Sequence, residues 1–165
     1  PTDQPAAHWA AFGITRLRPE QVAGSILQAA SLKPIDANAH IIWQLSRSAQ
    51  RSDFIKLYGD VGEDEFSATG GTIPQRLLLM NGNMVYERIK DNIVANAATR
   101  ILATARDNPS AVEAAYLAVL SRRPSPKESA HFVAALDEGG RFARRNRMAD
   151  LYWALLNSTE FSWNH

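Results

Sequence analysis

The chain has 165 residues, 45% of them apolar and 21% charged, with no cysteine. A chain of this length buries roughly two-thirds of the surface its unfolded form exposes, enough for one domain with a core of its own. The lack of cysteine excludes a disulfide framework, a thiolate metal site and haem attached through a Cys-x-x-Cys-His box, and a net charge of +1 is too small to draw the whole chain to nucleic acid or anionic lipid.

The longest uncharged run, Gln21 to Leu32, is about a dozen residues against the roughly 20 needed to span a bilayer, so no membrane insertion is expected. The opening Pro1-Thr2-Asp3-Gln4-Pro5 carries no initiator Met. It reads as the start of an excised fragment, and residues 1–165 read as a single helical domain.

Taken in chain order, residues 1–17 form an irregular segment, with Trp9 and Phe12 available to anchor it. Pro19 and Glu20 open a helix over 19–31 with Val22, Ile26, Leu27 and Ala30 on one side, although Arg18 is a poor N-cap. Ile35, Ile42 and Leu45 mark a second helix over 35–47, and a third covers 51–58. Residues 59–72, with four glycines and a run of acidic side chains, form the long irregular segment. Thr72-Ile73-Pro74-Gln75 reads as a capping box for a helix over 73–81, which Gly82 stops after Asn81. A further helix is expected over 83–90.

The later chain is more strongly patterned. Val94, Ala97, Ala98, Ile101, Leu102 and Ala105 stripe a helix over 93–106. Val112, Ala115, Tyr116, Val119 and Leu120 stripe another over 109–121, started by Asn108-Pro109. Ser125-Pro126-Lys127-Glu128 is a second capping box, opening a helix over 126–138 that Gly139-Gly140 closes. Met148, Leu151, Tyr152, Leu155 and Leu156 stripe a last helix over 143–158. The fold class is therefore all-α: an irregular bundle of about seven to nine helices, mostly antiparallel neighbours because the late connections are short. Val112, Tyr116, Val119, Leu120, Met148, Leu151, Leu155 and Leu156 are the expected core.

Candidate chemistry is sparse. Glu128 and His131 lie one helical turn apart, the spacing that di-iron bundles use, but such a site needs a second pair and two further carboxylates. A capping Glu on a wet helix start explains the pair. Asp36 and His40 suit a helix-surface hydrogen bond better than a shared metal. The four histidines have no recurring ligand spacing, and the three methionines and those histidines offer no organised axial ligand for haem. No nucleophile elbow, P-loop or dinucleotide fingerprint is present. No catalytic residue, metal ligand or cofactor is assigned.

Charge is unevenly spread. Residues 121–147 hold seven Arg or Lys against three acidic residues, and residues 53–65 hold five acidic residues against Lys56. A basic stripe can be a nucleic-acid footprint, but no aromatic residues interleave it for base stacking. Complementary patches within the chain or across an interface explain it as well. The C-terminus, Asn157 to His165, ends on Phe161 and Trp163, which either dock onto the body or anchor a partner. The candidate interaction residues are Thr72, Gln75, Asn81, Asn83, Arg122, Arg123, Arg144, Arg145, Phe161 and Trp163.

Four runs carry a family resemblance: Glu63-Asp64-Glu65-Phe66; Gly71 to Gly82; Leu120-Ser121-Arg122-Arg123-Pro124-Ser125-Pro126-Lys127-Glu128; and Ala154 to Phe161. Together the chain resembles the C-terminal domain of unknown function in large planctomycete-type envelope proteins. That family has no established activity, so the resemblance implies context and no site residue. It implies an exported or cell-envelope-associated parent, with upstream domains of the same chain as partners, a cytochrome-c-like domain among them. The expected function is a non-catalytic helical module that packs on or scaffolds those domains. The alternatives are half of a ligand-binding or enzymatic site completed upstream, with residues 70–75 and 81–83 facing the cleft, or a nucleic-acid-binding helical domain.

Overall fold

The computed structural model describes residues 15–30, 51–58, 73–82, 85, 97–138 and 140–164. The fold is all-α, with seven helical segments among the described residues. These are α1 (Pro19–Ala30), α2 (51–58), α3 (Ile73–Asn81), α4 (Ala97–Thr104), α5 (Asn108–Leu120), α6 (Pro126–Asp137) and α7 (Arg141–Leu156). A short 3-10 turn follows at Glu160–Ser162. The expected helix over 35–47 and the irregular segment over 59–72 lie outside the described residues, as does all of 83–90 but Val85.

Several helix ends have a local reason. Arg18 has no capping oxygen of its own, yet its amide is satisfied: Gln21 Oε1 accepts from it at 2.8 Å, the returning half of a capping box. In α5 the cap is Asp107, not Asn108. Its Oδ1 accepts from the Ser110 amide at 2.8 Å, which shifts the start one residue earlier than the Asn-Pro pair suggests. Hydrogen bonding to Ser110 holds the Asp107 carboxyl below its usual range. The Ser125 box of α6 is complete: Ser125 Oγ accepts from the Glu128 amide at 3.3 Å, and Glu128 Oε2 accepts from the Ser125 amide at 2.7 Å. Gly82 ends α3 by donating to the Leu78 carbonyl at 2.7 Å, and a Cβ there would collide with that same oxygen. Gly140 belongs to the next helix, as the N-cap of α7, rather than closing α6.

The short connections at 105–107, 121–125 and 138–140 fold successive helices back on one another. The long helix α7 is the centre, in contact with α4, α5 and α6, while α1 packs on α4 and α5. Met148, Leu151, Tyr152, Leu155 and Leu156 of α7 meet Val112, Tyr116 and Val119 of α5 and Val22 and Ile26 of α1 in one buried cluster. The expected core holds except at Leu120, which is only partly buried because it sits at the end of α5 on the wall of a surface cleft. The Tyr152 hydroxyl is buried with no hydrogen-bond partner, and burial pushes its pKa upward.

The two ends of the described chain meet in a way the helical pattern does not foresee. Thr15–Arg16 (β1) pairs antiparallel with Trp163–Asn164 (β2), in register Thr15 with Asn164 and Arg16 with Trp163. The Leu17 amide extends the ladder by donating to the Ser162 carbonyl at 3.0 Å. Residues 15–16, expected as irregular, are thus tied to the C-terminal turn. Phe161, in the 3-10 turn two residues before Trp163, is buried in the main cluster.

Candidate functional site

The densest polar arrangement among the described residues centres on Arg122, in the connection between α5 and α6. Its Nε donates to Glu160 Oε1 at 2.5 Å, and Nη2 donates to Glu160 Oε2 at 2.7 Å and to Glu128 Oε1 at 2.9 Å. Nη1 donates to Glu128 Oε2 and to the Arg123 carbonyl, each at 3.0 Å. All five guanidinium N–H groups are therefore engaged within the chain. The guanidinium carbon lies over the Tyr116 ring, 5.3 Å from its centre, adding a cation–π contact.

The electrostatics follow from that geometry. Hydrogen bonds from Arg122, with help from the Ser125 cap, hold the Glu128 carboxyl down at about 2. The two carboxylates, Glu160 first, raise the Arg122 pKa further still. Burial, with the Glu128 carboxylate adding to it, pushes the Tyr116 hydroxyl up to about 12. Near neutral pH these shifts keep Glu128 and Arg122 charged and the Tyr116 hydroxyl neutral. The cluster is a clamp, holding the C-terminal 3-10 turn and the start of α6 to the end of α5, rather than an acid–base pair.

Beside the clamp lies a cleft of about 240 Å³, lined by Leu17, Ser25, Val119, Leu120, Ser121, Glu160, Phe161 and Trp163. It is built where β1, the middle of α1, the end of α5 and the C-terminal turn converge. Ser121 reaches it through a left-handed backbone, φ 55°, the positive-φ non-glycine position among the described residues.

The residues singled out from sequence fall in several different places, where they are described at all. Thr72 and Asn83 lie outside the described residues, as do Asp36 and His40. Gln75 is buried, and its Nε2 donates to the Tyr58 carbonyl at 2.9 Å, joining α3 to α2. Asn81 is exposed at the end of α3. Arg123 is ion-paired with Glu113 at 2.9 Å on the open surface, where such a pair is worth little. Arg144 Nε donates to Asn108 Oδ1 at 2.8 Å, and Asn108 passes the link on to Asp137 at 2.6 Å. Arg145 is half-buried on α7. Phe161 and Trp163 both line the cleft, the first buried and the second half-buried. Among the described residues, the structure brings Phe161 and Trp163 together on the cleft, with Arg122 bound to the adjoining Glu160.

Three of the seven basic residues over 121–147 meet acidic partners from outside the stretch: Glu160 for Arg122, Glu113 for Arg123 and Asp150 for Arg147. His131 is exposed, edge-on to Phe132 at 5.0 Å, while its neighbour Glu128 is committed to the clamp. Among the described residues no group of three His, Cys, Asp or Glu could hold a metal ion, and no helix is long and apolar enough to cross a membrane. The partner that sequence reasoning missed is Glu160, 38 positions from Arg122. No local pattern points to it.

No family model, curated protein or solved structure matches the chain.

Proposed function

We propose that the chain is a non-catalytic helical module that packs on, or scaffolds, upstream domains of a larger envelope protein. The observation that carries this reading is apolar surface left in water. On α3, Leu77 is 52% exposed and Met80, one turn on, is 44% exposed, while Leu79 on the opposite face is buried. Leu57 at the end of α2 is 72% exposed, and the Gln75–Tyr58 bond ties its helix to α3. Large side chains left out of the core on one helix face mark an interaction surface. The commitment of Arg122, Glu128 and Glu160 to one another supports the non-catalytic half of the reading.

The test is association of this chain with the upstream segment of its parent, followed by size-exclusion chromatography with light scattering. A complex should form with the natural sequence and be lost in the double variant Leu77→Asp/Met80→Asp, whose far-ultraviolet circular dichroism should stay helical. Equal complex formation by both proteins, or none by the natural one, would sink the reading.

A further inference from the structure

Asn81-Gly82 is the one Asn-Gly step in the sequence, and it stands where α3 ends. Asn81 is exposed, the last residue of the helix. Glycine carries no Cβ, so nothing beside the Gly82 nitrogen obstructs its approach to the Asn81 side-chain carbonyl, and the backbone has the freedom to bring the two together. Such a pair reacts without a catalyst. The Gly82 nitrogen gives its proton to solvent base and attacks Asn81 Cγ. The Cγ–Nδ2 bond breaks, ammonia leaves, and a five-membered succinimide closes. One water then opens that ring. Opening at one carbonyl gives aspartate; opening at the other gives isoaspartate, with the main chain rerouted through the side-chain carbon. The balance is one water taken up and one ammonia released.

The helix cap restrains this reaction. The Gly82 amide donates to the Leu78 carbonyl at 2.7 Å, and it cannot attack while it holds that bond. Only the last turn of α3 has to open, and terminal turns open far more cheaply than core helices. Other asparagines are less well placed. Asn108 precedes Pro109, whose nitrogen has no proton to lose. Asn146 lies inside α7. Asn157 is held on both sides of the reaction: its Nδ2 donates to the Trp153 carbonyl at 2.8 Å, its Oδ1 is buried, and the Ser158 amide donates to the Leu155 carbonyl at 3.1 Å. We propose that Asn81 is a site of spontaneous deamidation, converted through a succinimide to aspartate and isoaspartate at a rate set by opening of the last turn of α3. The product acts where it forms. A carboxylate at a helix C-terminus meets the negative end of the dipole, and the extra main-chain carbon of isoaspartate breaks the spacing of the Gly82–Leu78 bond. The conversion does not depend on the docking reading above, although Asn81 lies one turn beyond Leu77.

The experiment is incubation of the whole chain in warm, mildly alkaline buffer, followed over weeks. Digestion at acid pH and mass spectrometry then read the amide-to-acid mass change at each asparagine, and backbone fragmentation separates aspartate from isoaspartate. A synthetic peptide from Leu77 to Arg88 serves as the unfolded reference. In the whole chain Asn81 should convert roughly tenfold or more faster than Asn157, because a terminal turn opens so much more readily than a buried, doubly bonded site. It should convert more slowly than in the peptide, and yield isoaspartate together with aspartate. Asn81→Gln, whose longer side chain would have to close a six-membered ring, should stay unmodified at that position and keep the natural circular dichroism. Conversion of Asn81 no faster than that of Asn157 would overturn the proposal. So would aspartate formed without isoaspartate, which is direct hydrolysis, and so would equal rates in the chain and the peptide, which would remove the cap from control of the reaction.

Discussion

Ser121 sits at φ 55°, ψ 21°, closing α5 with its amide donating to the Leu117 carbonyl at 3.2 Å. A left-handed residue is how many helices end, and glycine is the usual occupant because a Cβ crowds the following carbonyl. A serine there costs about 1–2 kcal/mol in backbone strain, against about 0.5–1 kcal/mol of extra chain entropy that glycine would lose on folding. Ser121→Gly should therefore stabilise the fold by about 0.5–1 kcal/mol in urea unfolding. A destabilised variant would mean that the hydroxyl contributes more than the strain costs. The neighbouring Arg122 depends on the same turn, since the left-handed step sends the chain out of α5 with the guanidinium over Tyr116.

At the scale of elements, α6 is legible because its start signal is local, whereas α5 and α7 are legible through their apolar stripes. Ser125, Pro126 and Glu128 occupy the N-cap, first-turn and N3 positions of α6, and the structure forms both reciprocal bonds of the box. Ser125→Ala should cost about 1 kcal/mol by chemical denaturation, because the Glu128 amide loses its acceptor. An unchanged midpoint would show that water replaces the hydroxyl without loss. Asp107 was less legible, since Asn108-Pro109 carries the same residue types one position later. Only the backbone geometry separates a residue at the cap from one inside the first turn. The β1–β2 ladder was not legible at all. Two-residue strands have no periodicity to read, and their pairing depends on where α1 and α7 leave the chain ends. Arg122 stood out as one basic residue among seven, but its two carboxylate partners come from α6 and from the C-terminal turn, and only the packed fold makes them neighbours.

For the whole molecule, the clamp is the point at which three separate pieces of chain are held by charge rather than by apolar burial. Its contribution must depend on pH, and the sign follows from Glu128. The folded state holds that carboxyl at about 2, below its ordinary 4.5, chiefly through Arg122. A depressed folded pKa means that the stabilisation is complete above the unfolded value and is lost as the pH falls from about 4.5 towards 2. The Glu128 side chain is a third exposed, so solvent screening reduces the expected contribution to about 1 kcal/mol, below what the full shift would imply. Glu128→Gln keeps the shape and removes the titration. Urea unfolding of the two proteins should differ near neutrality, with the natural chain the more stable. The difference should close between pH 4.5 and 2 as the natural carboxylate takes up its proton. Parallel stability curves over that interval would show that Arg122 holds the turn through Glu160 alone.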